Sequence, residues 1–235
     1  MADEGSTGVS RSDGTGFWAL LGPDLAGKST VLRRLHDEHG WRVVSYDDRY
    51  LGPYPLIHQL RRSWITDAFG WAGERYSPEL VVSVLTPIVL HLREELARAA
   101  DADRVIIDSY YYKLLVKCRL LGVEHTPTFD YWRSFPQPGR VLYLDVPAET
   151  AWARSGDGAR VNRFEHYGPA VDRADFVRLQ TDLRAALLAE VRDLPVRIVD
   201  GAAPPDEVVA AVLTTTSEST MDSVAHRAAS PAVDR

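Results

Sequence analysis

The residues with the plainest chemical purpose are Gly22-Pro23-Asp24-Leu25-Ala26-Gly27-Lys28-Ser29-Thr30. Their spacing, G-x-x-x-x-G-K-[ST], is that of a loop whose backbone N–H groups wrap a chain of phosphates. The helix that follows adds a favourable dipole at its N-terminus. Gly22, Ala26, Gly27, Lys28, Ser29 and Thr30 form the expected nucleotide cradle. In it Lys28 reaches the β- and γ-phosphates and Ser29 gives its hydroxyl to Mg²⁺. The apolar run Phe17–Leu21 before the motif and the amphipathic segment Ser29–His36 after it supply the required strand and helix. The motif assigns nucleotide binding and leaves the use of the nucleotide open.

Three other groups could complete a reaction site. Asp108 ends the apolar strand Arg104–Asp108, where proteins with such a loop place an acid that helps hold Mg²⁺. Its competing role is to cap the next helix. Asp47 and Asp48 close the β-rich segment Trp41–Tyr46. Asp48 is the candidate to take a proton from, or to orient, an acceptor hydroxyl; the competing role is a turn acid paired with Arg49 on the surface. Arg160 and Arg163 follow the flexible turn Ser155–Gly158. Cations on a closing segment, about residues 155–168, would offset the charge of a moving phosphoryl group and exclude water. A solvated basic loop is the alternative. Arg49, Tyr110 and Lys113 are candidates to line an acceptor pocket, although core packing is the commoner fate of a tyrosine. No His/Cys cluster suggests zinc, and no Ser/His/Asp ordering suggests a hydrolase.

Strands are predicted at 17–21, 41–46, 104–108, 140–146 and 196–199, with helices between them. The helices run to about His39, over Leu56–Trp71, from Ser77 to about Ala100 with a kink or break at Pro87, and over Tyr110–Leu121, Glu149–Arg154, Val171–Leu194 and Asp206–Leu213. This alternation predicts an α/β fold with a parallel five-stranded sheet covered on both faces, and ligands at the carboxyl ends of its strands. Gly22, Asp47, Asp48, Asp108 and the segment after Val146 all fall at that rim. One domain is expected over 17–213, between a disordered leader, Met1–Gly16, and a disordered polar tail, Thr214–Arg235. Across the 235 residues the net charge is −6, which argues against a nucleic-acid partner. The single cysteine, Cys118, fits a reducing cytoplasm, and no apolar run is long enough to span a bilayer. A cytoplasmic protein with a small-molecule partner is the expectation.

The chain resembles the thymidylate kinase family over about residues 17–213. Asp24 stands third in the loop and Ala26–Thr30 closes it, like the family's G-x-D-G-A-G-K-S-T. Arg160-Val161-Asn162-Arg163-Phe164-Glu165 is similar to the family's lid, D-R-F/I-E. Val199-Asp200-Gly201-Ala202, followed by Pro205-Asp206-Glu207-Val208, is similar to its terminal segment near the adenine. The resemblance implies a P-loop kinase fold with a small lid, ATP and Mg²⁺ as cofactors, and Asp24 facing the acceptor sugar. It also implies that Lys28, Arg160 and Arg163 stabilise the transferring phosphoryl group. Family members are commonly dimers, and the apolar helix Leu80–Leu96 offers a homodimer interface by that analogy.

The departures concern the acceptor. Asp108-Ser109-Tyr110 stands where the family has D-R-[YH], the stretch around Ser83–Pro87 has no arginine, and Tyr46-Asp47-Asp48-Arg49-Tyr50 replaces R-E-P-G-G-T. An acceptor phosphate buried without cationic partners is costly; Arg49 or Lys113 could compensate. The expectation is therefore an ATP-dependent phosphotransferase acting on a small hydroxyl acceptor, a nucleoside or another metabolite, with Asp48 as base. A dTMP-type kinase with an altered acceptor site is the alternative. A nucleotide-binding regulator without transfer activity is a third reading, from another class.

Overall fold

The computed structural model describes residues 16–63, 75–123 and 127–229. In chain order the elements are β1 (Trp18–Leu21), α1 (Lys28–His39), β2 (Arg42–Val44), α2 (Pro55–Ser63), α3 (Pro78–Arg98), β3 (Val105–Asp108) and α4 (Tyr112–Leu120). Then come α5 (Pro127–Arg133), β4 (Arg140–Asp145), α6 (Ala148–Arg154), α7 (Arg173–Glu190), β5 (Val196–Asp200) and α8 (Pro205–Ala229). The five strands form one parallel sheet in the order β2-β3-β1-β4-β5.

Alternation along the strands divides the core in two, because successive side chains point to opposite faces. Ala19, Leu21, Val105, Ile107, Val141 and Tyr143 join one cluster, completed by α3, α4, α5 and the second half of α7. Leu20, Ile106, Leu142 and Leu144 join the other, against α1, α6 and α8. Both faces of the centre of the sheet are thus dry, as a parallel sheet requires, while the edge strand β5 leaves Ile198 exposed. Register then fixes the functional rim: Leu20 lies opposite Asp108 and Leu21 opposite Tyr143. The chain therefore leaves β1 level with the acid that ends β3.

Several elements differ from what composition suggests. α3 is continuous through Pro87. Burial of Val81, Val82, Leu85, Ile88, Val89 and Leu92 along one face outweighs the ~3 kcal/mol that an internal proline costs. α4 starts at Tyr112 rather than Tyr110, because Ser109 (φ 57°) and Tyr110 (φ 45°) occupy the left-handed region. Asp108 consequently does not cap α4; Tyr111 holds that position, without a side-chain bond. The helix α5, which carries no clear sequence signal, inserts Phe129 and Trp132 into the core.

α8 continues to Ala229, past Leu213 where the sequence places the end of the last helix. There the polar side chains turn back on their own helix: Thr215 Oγ1 donates to Ala211 O at 2.8 Å and Ser217 Oγ to Leu213 O at 2.9 Å. The leader up to Thr15, the part of the helix expected over Leu56–Trp71 that follows Ser63, and the chain after Ala229 lie outside the described residues. No described helix is long and apolar enough to cross a membrane.

Candidate active site

The loop between β1 and α1 is shaped by close backbone approach. Gly22 has φ 151°, and a Cβ there would sit 2.7 Å from Leu144 O. Gly27 takes the left-handed N-cap of α1 (φ 91°), and its carbonyl accepts from Thr30 N and Val31 N. Leu25 is also left-handed, at φ 59°, a conformation that costs a side-chain-bearing residue roughly 1–2 kcal/mol. The Lys28 ammonium folds back into the loop, donating to Gly22 O at 3.0 Å and Pro23 O at 2.7 Å. Burial, reinforced by the nearby Lys113 ammonium, pushes its pKa down to about 7.

Asp24 is the most heavily bonded side chain in the loop and is only 6% exposed. Its Oδ1 meets Lys113 Nζ at 2.6 Å and its Oδ2 meets Lys117 Nζ at 2.9 Å. Gln180, on α7, clamps it as well: Oε1 accepts from Asp24 N at 2.8 Å, and Nε2 donates to Asp24 Oδ2 at 3.0 Å. Burial alone would raise the carboxyl pKa, yet the ammoniums of Lys113, Lys117 and Lys28 hold it well below the usual range. Lys113 and Lys117 stand four residues apart on α4, so both heads reach one carboxylate.

Asp108 sits between two hydroxyls. Ser109 Oγ donates to its Oδ1 at 2.9 Å and Ser45 Oγ to its Oδ2 at 3.1 Å. Ser45 Oγ in turn accepts from Asp47 N at 3.1 Å, which ties the end of β2 to the end of β3. Asp47 then faces the same opening as Ser29 and Asp108. Ser29 and Asp108 are hard oxygen donors on adjoining walls, a donor set that suits Mg²⁺.

These groups border a cleft of about 900 Å³. Asp24, Lys28, Ser29, Tyr46, Asp47, Asp108, Ser109, Lys113 and Glu165 line it, as do Ala153, Arg154, Arg160, Gly201, Ala203, Pro205 and Val208. Arg154 bridges two carbonyls, Ala26 O at 3.5 Å and Ala202 O at 3.3 Å. Arg160 Nε donates to Ser155 O at 3.4 Å, and its Nη2 donates to Arg154 O.

Of the residues singled out from sequence, the fold brings Asp24, Ala26, Gly27, Lys28, Ser29, Thr30, Asp108, Lys113 and Arg160 onto this cleft, with Gly22 directly beneath. Asp48, Arg49, Tyr110 and Arg163 are not among the residues lining it. Asp48 points to α2, where Arg61 Nη1 donates at 2.6 Å and His58 Nδ1 lies at 3.1 Å. Arg49 borders a neighbouring pocket of about 190 Å³ and pairs with Asp37 at 2.7 Å. Tyr110 is fully buried, edge-on to Phe17 at 5.8 Å. Arg163 donates to Gly168 O. Sequence reasoning ranked Asp47 below Asp48 and did not single out Arg154, Glu165 or Gln180. The four-residue spacing of Lys113 and Lys117 was the one visible hint of the Asp24 cluster.

No family model matches the chain. It is 31% identical over 162 residues to the thymidylate kinase of Pseudomonas putida, covering 66% of this chain and 75% of that protein. With the thymidylate kinase of Cupriavidus metallidurans it shares 29% identity over 204 residues, covering 82% and 92% respectively. Among solved structures it resembles deoxyadenosine kinase from M. mycoides, in a complex with dCMP and dCDP, with a TM-score of 0.59 at 14% identity. That match covers 86% of this chain and 98% of the other. A second structure of that kinase, with dATP bound, gives a TM-score of 0.52 at 15% identity. The structural matches concern the fold, the parallel sheet and P-loop just described, while the sequence match to the first relative extends over three quarters of its length. The chain therefore belongs to the thymidylate kinase family and is an ATP-dependent kinase of that type.

Proposed function

We propose that this kinase transfers the γ-phosphoryl group of ATP to the hydroxyl of a small acceptor, a nucleoside or a related metabolite, rather than to the phosphate of dTMP. The observation that carries the reading is the charge of the cleft where β2 and β3 end. Asp47 faces it, Ser109 stands where the family carries an arginine, and Lys113, the lysine on this wall, is already bound to Asp24, while the other lining cations, Lys28, Arg154 and Arg160, belong to the P-loop, α6 and the lid segment. Arg33 and Arg49 border the smaller pocket that Asp47 and Asp108 also line, so an acceptor phosphate at this wall would lie against Asp47 with Lys113 already paired, which is costly. A hydroxyl would meet an acceptor carboxylate at hydrogen-bonding range, as general-base assistance requires.

In this reading the backbone N–H groups of Gly27, Lys28 and Ser29 and the Lys28 ammonium hold the donor phosphates, Thr30 N being bonded to Gly27 O. Ser29 and Asp108 hold Mg²⁺, which when bound offsets charge on the phosphates. Arg160, on the lid segment 155–168, stabilises the charge of the phosphoryl group in transit. Asp47, rather than Asp48, orients the acceptor hydroxyl and takes its proton. Arg154, with Ala203, Pro205 and Val208, borders the part of the cleft where the base of ATP would lie.

The test is a mass-spectrometric acceptor screen with ATP and Mg²⁺ over nucleosides, deoxynucleosides and nucleoside monophosphates including dTMP. A phosphorylated hydroxyl acceptor is the expected product. Robust turnover of dTMP overturns the reading in favour of an ordinary monophosphate kinase. Tight ATP binding with no product across the screen would instead favour a nucleotide-binding regulator.

A further inference from the structure

We propose that Lys117 and Gln180 are positioning residues for phosphoryl transfer, strapping the lid backbone at Phe164 and Glu165 to the P-loop through Asp24. The inference rests on reading residues 155–168 as the lid. Each side chain touches both parts at once. Lys117 Nζ meets Asp24 Oδ2 at 2.9 Å and donates to Phe164 O at 2.9 Å. The Gln180 amide holds the Asp24 backbone N–H and carboxylate, and its Nε2 also donates to Glu165 O at 3.1 Å. Neither residue lines the cleft, so neither is placed to touch a substrate.

Charge balance explains why the second lysine needs a reason of its own. Lys113 already neutralises Asp24 through the other carboxylate oxygen, at 2.6 Å. Burying a further ammonium carries a desolvation cost, seen in the downward pKa shift of Lys117, for which burial is the largest cause. What Lys117 adds beyond Lys113 is the bond to the lid carbonyl, together with the attraction of the lid carboxylate Glu165, which partly offsets that cost. Phe164 and Glu165 lie four and five residues beyond Arg160, the lid cation on the cleft wall. Fixing their backbone to the loop that holds the donor phosphates makes loop and lid one mechanical unit. Arg160 is then aimed by the P-loop rather than by the lid alone, and an ångström-scale slackening there is enough to impair transfer.

The experiment uses the full chain with Mg·ATP, and four deoxynucleosides plus dTMP as acceptor probes. Lys117→Met and Gln180→Leu are expected to be cut by trypsin after Arg160 and Arg163 about tenfold faster than wild type, since cleavage follows local opening. Their kcat for ADP formation should fall about tenfold or more while KM for ATP stays within about twofold, the signature of misplaced groups rather than lost binding. Lys117→Arg, which keeps a donor for both partners, should restore both quantities. Wild-type cleavage rates and kcat in Lys117→Met and Gln180→Leu overturn the strap. So does a parallel loss of thermal stability and activity that Lys117→Arg fails to rescue. Should Lys117→Met not fold, Gln180→Leu with Lys117→Arg decides the question. If Arg160→Ala leaves kcat unchanged, the lid reading itself fails; if Arg160→Ala is impaired while the strap variants are not, only the strap does.

Discussion

The two ends of the cleft are built by different means. The proposed donor end is made largely of backbone: Gly22 lacks the Cβ that would stand 2.7 Å from Leu144 O, Gly27 supplies a left-handed cap, and the first turn of α1 presents its N–H groups. The proposed acceptor end is made of side chains from separate elements, Tyr46 and Asp47 after β2, Asp108 and Ser109 at β3, and Lys113 on α4. A phosphate chain is the same in every nucleotide, so one backbone shape serves it. An acceptor is particular, and side chains can be exchanged without rebuilding the loop. Asp24 belongs to both ends, since it sits in the loop and is held by α4 and α7.

Removing Asp24 should do the most damage. Asp24→Asn leaves two buried ammoniums facing a neutral amide, and breaking a buried pair in this way costs about 3–5 kcal/mol; urea denaturation measures it. The sign of its pH dependence follows from a folded-state pKa below the ordinary 3.8. The stabilisation is full above that value and is lost as pH falls through the still lower folded pKa. The carboxylate's own share of the stability difference between wild type and Asp24→Asn should therefore be lost only in strong acid, while the Lys28 ammonium, whose pKa of about 7 Asp24 helps to hold up, adds a dependence near neutrality. A difference already lost above the ordinary 3.8 would show that Asp24 is not paired as described.

Lys28→Ala tests the donor end and should lower transfer about 10²–10³-fold by removing a preorganised cation. Asp47→Asn tests the acceptor end. A drop in kcat of about 10²-fold with KM for ATP unchanged is expected for loss of an acceptor base. The lid arginines should then separate: Arg160→Ala costs about tenfold or more in kcat, and Arg163→Ala less, because its guanidinium bonds Gly168 O away from the cleft. Equal losses would mean that the lid rearranges further on closure than this conformation indicates. The smallest effect should be that of Asp48→Asn, with kcat within about twofold of wild type, since its exposed pairs with Arg61 and His58 are worth at most about 1 kcal/mol of stability. A large loss of transfer in Asp48→Asn, with none in Asp47→Asn, would reverse the assignment at this end.

The legible parts were those written in short stretches of chain. Apolar strands alternating with helices announced the parallel sheet, and Gly22–Thr30 announced the phosphate loop, because both depend on neighbours within about ten residues. Where a local rule met a tertiary one, the local rule lost: Pro87 does not break α3, and Tyr110 goes to the core rather than to the acceptor. Asp47 and Asp48 show the limit most clearly. They are the same residue type in adjacent positions, and only the bond from Asp47 N to Ser45 and the pull of Arg61 on Asp48 send them opposite ways.

By itself, then, the sequence determined the fold class, the phosphate-loop motif with Lys28 and Ser29, and the rim on which Asp108 stands. All of these follow from periodicity and fixed spacing. The tertiary structure alone decided which carboxylate lines the cleft, that Arg163 bonds Gly168 O, and that Asp24 is locked between α4 and α7. The contact of Asp24 with Gln180 spans 156 residues. Contacts at such separation leave no local pattern, because they exist only once the sheet has brought the distant segments together.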